Sequence, residues 1–390
     1  MEKIRFSAFV ATLAMTLGGT PAAAGGYDRF QQSIDLLFDP AQFAMNASVS
    51  YTAPHFNFGR VTSPALGTTT SNQPDLSAAL PKVEIKAGWG DADCMGSYSV
   101  PYGAAASNDP NWVGQLNYTD KELKDQQLAL TCSYAFAMGP GAFRIIGGIN
   151  YEMASYTQTK NYSLLAGGIP TFASLDLSGE NLGWRAGVAY EIPEYAVRAS
   201  LMYFAAVDIE ADGTITNLPV GGGAFAPLVP VYASATIPQS VELKLQSGIA
   251  PGWLASASVK WTDWSVWQKV DINQQGTGAL ITWLDNYFTD GWTVSGSIGH
   301  QFTEQLAGQI GLTWDQGVAT GWTEHTDTYT LSAGARYKLT DNVDLYGGLA
   351  YTVISAGEVD KVSGAALTTI TSAWDTNYAV SGQIGLTARF

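Results

Sequence analysis

The sequence predicts an all-β fold, a 14-stranded antiparallel transmembrane β-barrel. Apolar and polar residues alternate along the C-terminal part of the chain, and short turns alternate with long links. Charged residues make up only 14% of the chain, while aromatic residues make up 12%. Beyond the N-terminus, Gly, Ser, Thr or a charge interrupts every apolar stretch before it reaches the roughly 20 residues of a membrane-spanning helix. Strands in a bilayer satisfy their backbone hydrogen bonds only when they close into a ring.

The first 24 residues have the pattern of a secretory signal peptide. Lys3 and Arg5 precede an apolar run from Phe6 to Leu17, and small residues end the segment at Ala24. A membrane anchor would need a longer apolar run, of roughly 18 residues. We therefore predict cleavage after Ala24 and export of the remaining chain.

The last predicted strand shows the alternation most clearly. Between residues 378 and 390, the even positions are apolar or small and the odd positions are mostly polar. A soluble sandwich would turn the apolar face inward. Here the pattern recurs with few large residues on the other face, so we predict that the apolar face contacts outer-membrane lipid. The chain ends on Phe390, through which we expect the barrel-assembly machinery to recognise it.

The strands are joined by two kinds of connection, short turns on the periplasmic side and long irregular links on the outer side. The short turns are predicted near 139–141, 193–194, 250–252, 303–305 and 340–342. The long links are predicted near 54–80, 105–121, 158–180, 210–235, 271–289 and 356–375, with a shorter one near 319–326. The 14 strands are then predicted near 45–53, 81–90, 94–104, 122–138, 142–157, 181–192, 195–209, 236–249, 252–267, 290–302, 305–318, 326–339, 342–355 and 377–390.

The charged residues and the histidines argue against nucleic-acid and metal binding, and the two cysteines predict a disulfide. A net charge of −15 argues against nucleic acid, whose binding needs basic patches. We predict no metal and no cofactor, because the three histidines lack metal-site spacing and the calcium-like start at Asp208 has Pro219 in place of the required Glu. Cys94 opens the third predicted strand and Cys132 lies late in the fourth, so we predict a structural cross-strand disulfide in the oxidising periplasm.

Several short segments, taken in order and spacing, resemble the FadL-type outer-membrane transporters of long-chain fatty acids and other hydrophobic compounds. The segments are Val100–Ala104, Ile146–Gly148, Ile237–Ser240, Gly252–Trp253, Trp261–Ser265 and Asp290–Val294. The resemblance spans nearly the whole exported chain. It implies a monomeric barrel in the Gram-negative outer membrane, an N-terminal hatch that plugs the lumen, outer loops that collect the ligand, and a break in the third strand that releases it sideways into the membrane.

The predicted domains are the signal peptide (1–24), the hatch (25–44) and the barrel (45–390). The family hatch carries Asn-Pro-Ala, and Phe38-Asp39-Pro40-Ala41 stands in the matching place here, with Asp in place of Asn. A disordered terminus is the alternative, but the segment is too apolar for that. Its apolar residues are Phe30, Ile34, Leu36, Leu37, Phe38 and Phe43.

Pro101 is the residue that the sequence singles out as a break in the barrel wall. A proline has no N–H for the strand ladder and is normally confined to edges or bulges. A closed barrel has no edge, so Pro101 together with Gly103 predicts a local break that serves as a lateral window. The alternative is that Pro101 merely ends the strand near the outer rim.

Ligand capture is predicted in the two long links that carry clustered apolar residues, which are costly to expose unless they cover a groove or pack together. Arg185 and Lys260 are predicted to face the lumen and are candidate counter-ions for a ligand carboxylate. Their alternative use is pairing with lumen acids. The predicted apolar capture residues are Leu164, Leu165, Ile169, Phe172, Leu218, Phe225 and Leu228.

The function predicted is uptake of long-chain fatty acids or similar hydrophobic compounds, and not catalysis. A general diffusion porin is the first alternative, but it needs an open polar lumen, which the apolar N-terminal segment opposes. A barrel enzyme acting on lipids is the second alternative, and it needs a nucleophile and base that the sequence does not provide.

Overall fold

The computed structural model describes residues 25–29, 31–362 and 368–390. The predicted signal peptide and Phe30 of the predicted hatch lie outside the described residues. Across the described part of the chain, no helix is both long enough and apolar enough to cross a membrane.

Within the described residues, fourteen antiparallel strands close into a barrel, which confirms the predicted fold and strand count. The ring closes because β1 pairs with both β2 and β14. The strands are β1 Phe43–His55, β2 Ala78–Trp89, β3 Ala92–Ser107, β4 Asp120–Met138, β5 Gly141–Asn161, β6 Phe172–Ile192, β7 Val197–Phe204 and Val207–Gly221, β8 Ala224–Ile237 and Ser240–Ala250, β9 Trp253–Thr262 and Lys269–Gln274, β10 Leu280–Asp285 and Gly291–Gln301, β11 Leu306–Asp315, β12 Thr328–Lys338, β13 Val343–Ile354 and β14 Asn377–Arg389.

The lower part of the barrel carries the predicted lipid-facing pattern. Along β13 and β14, Leu345, Leu349 and Ile384 are exposed on the outside, whereas Tyr346 and Ser381 are buried on the lumen side. Each pair of strands keeps this arrangement because the side chains alternate with period two and the register is fixed across the ladder. The predicted short turns are all confirmed as hairpin connections, and the strand order places them at the same end of the barrel.

Three of the predicted long links are wrong, because most of their residues continue the strands above the membrane. β5 and β6 pair as far as Asn161 and Phe172, and β7 and β8 pair as far as Gly221 and Ala224. The link predicted at 271–289 contains a hairpin formed by the upper segments of β9 and β10. The links 158–180 and 210–235 are therefore mainly strand.

The polarity of the two faces is reversed in this upper part, which explains the error. On β6, Leu175 and Leu177 are buried inside while Asp176 is exposed outside, and Ile209 and Glu210 on β7 show the same arrangement. Water rather than lipid surrounds the barrel here, so the polar residues face outward. The lumen is therefore lined by apolar side chains in this upper part of the barrel.

Four short strands form a separate small sheet over the outer end of the barrel. It packs on a buried cluster that includes Phe56, Trp112 and Ile354. The strands are Arg60–Ser63, Gly67–Thr69, Gly357–Val359 and Thr371–Trp374, so the predicted links 54–80 and 356–375 contain regular structure. Short 3-10 helices occupy Asp35–Phe38, Pro193–Tyr195 and Trp264–Val266.

The structure joins Cys94 and Cys132 by a disulfide. The two residues lie directly opposite each other on β3 and β4. The bond therefore fixes the register of these strands near their periplasmic ends.

The lipid-facing surface yields a stability prediction. Leu349 is 69% exposed near the middle of β13, so Leu349→Arg should lower the free energy of unfolding in phosphatidylcholine vesicles by about 2–4 kcal/mol. The matched control is Ser234→Arg on the outward face of β8 above the membrane, which should have little effect. Urea titrations of the two variants test this, and equal losses of stability would contradict the assigned membrane level.

Candidate functional site

The N-terminal segment, residues 25–29 and 31–42, lies inside the barrel and is held there by ion pairs with the wall. Asp28 pairs with Lys260 on β9 at 2.5 Å, Asp35 pairs with Arg198 on β7 at 3.0 Å, and a third pair at 2.8 Å joins Asp39 to Arg389 on β14. Buried charges are costly unless they are paired. These pairs hold the segment, which we call the plug, against the inner wall of the barrel.

The upper end of the plug is fitted closely to the wall. The backbone nitrogen of Gly25 donates to the Asp315 carboxylate at 2.5 Å. Gly26 has a φ of +63°, and a Cβ built at this residue would lie 2.5 Å from the Trp264 ring. Only glycine combines this backbone conformation with so close an approach.

The lower part of the plug is apolar and packs against the wall. Leu37 and Phe38 share a buried cluster with Met95 and Ile146, and the Arg198 guanidinium lies 4.3 Å from the centre of the Phe38 ring. In the Phe38–Ala41 stretch, the Asp39 carboxylate also accepts a hydrogen bond from the Ala41 nitrogen. Lys86 donates to the carbonyls of Asp39 and Ala41 at 2.8 Å each.

The wall is broken beside the upper plug. β2 and β3 pair only as far as Val83 and Tyr98, so β2 supplies no partner to the upper half of β3. Against β4, two residues of β3, Val100 and Pro101, face the single residue Gln126, which is a β-bulge. The residues 99–103 are all buried, whereas a regular barrel strand would expose every second one.

Residues of the plug pair with the edge of β3 at the point where β2 no longer does. The Arg29 nitrogen donates to the Pro101 carbonyl at 2.7 Å, and the Gly103 nitrogen donates to the Tyr27 carbonyl at 2.8 Å. Residues 27–29 therefore act as a short strand partner for β3 at the break.

A cavity of about 530 Å³ lies above the plug and reaches the break. Tyr27 and Arg29 of the plug contribute to its floor, and Tyr102 of β3 lines it beside the bulge. Most of its wall is apolar, because the inward faces of the upper strands are apolar. Representative wall residues are Phe56, Tyr156, Ile209, Trp264 and Trp267.

A second cavity, of about 250 Å³, lies along the lower plug and is polar. Gln31, Ser33 and Asp35 of the plug face it, as do Ser256, Ser297 and Arg336 of the wall. The plug therefore separates an apolar upper compartment from a polar lower one.

Arg29 and His325 line the upper cavity, and burial lowers the pKa of each. Burial lowers the pKa of the Arg29 guanidinium to about 10, so it stays charged at neutral pH. Burial also lowers the pKa of His325, in the loop between β11 and β12, to about 4, so this ring is neutral. The His325 ring packs edge-on against Tyr27 with 5.0 Å between centroids, and it also contacts Phe288.

The family model described as outer membrane protein transport protein (OMPP1/FadL/TodX) matches residues 11–390 of the chain. The chain belongs to this family. It is therefore an outer-membrane transport protein by family. A long-chain fatty acid transport protein of Salmonella typhi is 22% identical over 350 residues, which cover 81% of this chain and 78% of that protein. Outer membrane protein P1 of Haemophilus influenzae is 29% identical over 185 residues, covering 45% of this chain and 39% of that one.

Solved structures of this family share the fold. A Pseudomonas aeruginosa FadL homologue superposes with a TM-score of 0.75 at 18% identity, over 96% of this chain and 98% of that chain. The Pseudomonas putida toluene transporter TodX superposes with a TM-score of 0.63 at 13% identity, over 98% of each chain.

The predicted capture residues of this family member do not line the upper cavity. Leu164, Leu165 and Ile169 are exposed in the outer loop between β5 and β6. The others lie on the strands that extend above the membrane, where Phe172 and Leu228 are exposed. Leu218 and Phe225 also belong to this group, and both are packed against neighbouring apolar clusters.

The two predicted lumen cations have partners away from the upper cavity. Lys260 pairs with Asp28 of the plug, which is the alternative use stated for it. Arg185 donates to Gln127 at 2.6 Å, and Gln127 in turn donates to Glu152. Among the described residues, the cations that line this cavity are Arg29, Lys121, Lys160 and Lys361, none of which the sequence singled out.

The neutral His325 makes the loop over this cavity sensitive to pH. The pKa of His325 is lower in the closed loop than its usual 6.5. As the pH falls, His325 therefore takes up a proton at a higher pH in the opened loop than in the closed loop. The contribution of neutral His325 to the stability of the closed loop is fully present above about pH 6.5. This contribution is lost as the pH falls toward 4. The charged groups acting on His325 are Glu324, Lys121 and Arg29.

The equilibrium constant for opening of residues 316–327 should therefore rise by roughly a hundredfold as the pH falls from about 6.5 to about 4. Hydrogen exchange of these amides, corrected for the intrinsic rate, measures the change. The control is His325→Gln, which has no ring to protonate. An equal pH dependence in this variant would assign the effect to other groups.

Proposed function

We propose that the protein takes up hydrophobic compounds, such as long-chain fatty acids or hydrocarbons, from outside the cell and releases them sideways into the outer membrane. The observation that carries the proposal is the contact between the apolar upper cavity and the break in β3. The relatives named above as a long-chain fatty acid transport protein and as a toluene transporter support both ligand classes.

The polarity of the lumen favours the sideways route. A ligand that continued downward would have to pass the plug and its ion pairs into the polar lower cavity. Moving apolar surface into a polar compartment costs about 25 cal/mol per Å², or about 0.8 kcal/mol for each CH₂ group. A ligand that leaves through the break enters hydrocarbon and avoids this cost.

Capture is proposed to begin at the exposed apolar residues of the outer loops. Leu164, Leu165, Ile169 and Leu228 are all more than one third exposed. Exposed apolar residues at a rim above a cavity are typical of ligand-collecting surfaces. They would deliver the ligand to the cavity without forming its wall.

The finer organisation of the chain is part of the same proposal. The exported chain would start at Gly25, with residues 25–44 as the plug and residues 45–390 as the barrel. One chain supplies the whole cavity, which supports a functional monomer. Phe390 is 75% exposed at the periplasmic seam, where its nitrogen bonds to the Phe43 carbonyl, and this position suits recognition by the barrel-assembly machinery.

Deleting Pro101 tests the lateral route. The deletion removes one of the two residues that face Gln126, so the flanking residues of β3 keep their partners while the bulge disappears. In a strain without its own long-chain fatty-acid transporter, the native gene should restore uptake of labelled oleate, and the deletion variant should lose most of it at equal surface expression.

The control for this experiment is Ser99→Ala, which leaves the bulge in place. Full uptake by the deletion variant would rule out the break as the exit. If the native gene is inert on oleate, the same cells tested on labelled toluene distinguish a wrong ligand from a wrong function.

Ion conductance separates a plugged transporter from a diffusion porin. In a planar bilayer the native protein should be nearly silent, because the plug crosses the lumen. A variant lacking residues 25–40 should conduct steadily through the polar lumen. Large steady conductance of the native protein would favour the porin instead.

A further inference from the structure

The carboxyl group of Asp125 is buried beside the break, and among the described residues it has no ion pair and no hydrogen-bond donor. Asp125 lies on β4 directly opposite Tyr102 of β3 and next to Gln126, the residue that faces the bulge. The residue is 2% exposed, and neither of its carboxyl oxygens meets an N–H or O–H donor in the described part of the chain. It also lines the upper cavity. A charged carboxylate in this position would be costly.

The carboxyl group of Glu152, on β5, lies within hydrogen-bonding contact of Asp125. Two carboxyl groups that share a buried site hold a proton between them, because their like charges repel. Glu152 accepts hydrogen bonds at its Oε1 from Gln127 and Asn150, at 2.6 Å each, and such bonds favour the charged form of a carboxyl group. Asp125 accepts none, so the shared proton belongs to Asp125.

The other charged groups around this pair balance one negative charge and not two. Arg185 on β6 is attracted to Glu152, and Asp28 of the plug is already paired with Lys260. The charge of Glu152 therefore has a counter-ion, whereas a charge on Asp125 would have none. The proton on Asp125 keeps the wall beside the break neutral.

A ligand with a carboxylate has to lose its charge before it leaves through the break. Hydrocarbon does not solvate an ion, so a neutral carboxylic acid enters it far more readily than a carboxylate does. Beside Glu152, a ligand carboxylate and a charged Asp125 are disfavoured for the same reason, which is repulsion between like charges in a buried site. A proton can therefore pass from Asp125 to the ligand at small cost.

We propose that Asp125 is a proton donor at the exit, which converts the carboxylate of an anionic amphiphile into a neutral acid before lateral release. In this step the O–H bond of Asp125 breaks, and a new O–H bond forms on an oxygen of the ligand carboxylate. The neutral acid enters the membrane, and Asp125, left charged next to Glu152, regains a proton from water. This inference rests on the proposed uptake function and adds a proton-transfer step to it for acidic ligands.

Asp125→Asn tests the step, because the amide keeps the shape of the side chain and can donate to Glu152 but has no proton to transfer. Uptake of labelled oleate and of labelled methyl oleate would be measured at neutral pH in the strain without its own fatty-acid transporter. The initial rate for oleate should fall at least about tenfold, as for the loss of a general acid, while the rate for the ester stays near the native value.

Acidic medium should restore oleate uptake by this variant, which a purely structural defect would not allow. At a pH of about 4.5, close to the usual pKa of a carboxyl group, much of the ligand carries its own proton and the donor is no longer needed.

A second variant and a control accompany this test. Glu152→Gln offers an N–H to Asp125 and so favours its charged form. It should also lose oleate uptake at neutral pH, and it carries the test if Asp125→Asn does not fold. The matched control is Asp285→Asn, which changes another acid of the cavity wall and should leave both rates unchanged. Heat-modifiable gel migration checks that each variant is folded.

The proton itself is visible by infrared spectroscopy of the purified full-length protein in detergent at neutral pH. The difference spectrum between the native protein and Asp125→Asn should contain the C=O stretching band of a protonated carboxyl group. Carboxylate bands alone in this spectrum would overturn the proposal. An unchanged oleate rate in both folded variants, or an equal loss of oleate and ester uptake, would also overturn it.

These failures are distinguishable from a failure of the uptake function. Uptake of the ester or of toluene by the native protein would leave the proposed uptake function standing without the proton-transfer step. If the native gene supports uptake of none of oleate, its ester and toluene, both proposals are overturned.

Discussion

The unpaired edge of β3 is the constraint on which the rest of the structure depends. Within a bilayer, each backbone N–H and C=O of the wall needs a partner. Above Tyr98, β2 no longer supplies one, and the plug residues Tyr27 and Arg29 bond to Gly103 and Pro101 instead. The wall is therefore closed at this point by a segment that is separate from the strand ladder.

Electrostatics and polarity keep that segment in place. Acids of the plug meet cations of three different wall strands, at Lys260, Arg198 and Arg389, which fixes the plug along its length. The lumen is polar around these pairs and apolar above them, since the upper strands turn their apolar faces inward. On the proposed route, this polarity holds a hydrophobic ligand next to the break and keeps it from the lower lumen.

Much of the fold follows from the sequence, and much of the site does not. The period-two pattern from Tyr378 to Phe390 identifies strands and lipid-facing positions, and Pro101 marks the break, because each is a local property. Above the membrane, the same alternation places the apolar residues Leu175 and Leu177 on the lumen side, because water rather than lipid surrounds the barrel there. The pairing of Asp28 with Lys260 joins residues 232 positions apart, and no local pattern encodes such a contact.

Lateral release through the break is the central claim, and photo-crosslinking tests it most directly. Intact cells carrying the protein would be exposed to an oleate analogue with a photoreactive group at the end of its tail, illuminated during uptake, and the adducts mapped by mass spectrometry. The account predicts adducts at residues 99–103 of β3 and on the facing end of β2. Adducts confined to the lower lumen, at residues such as Ser256, Ser297 and Arg336, would show passage straight through the barrel and contradict it.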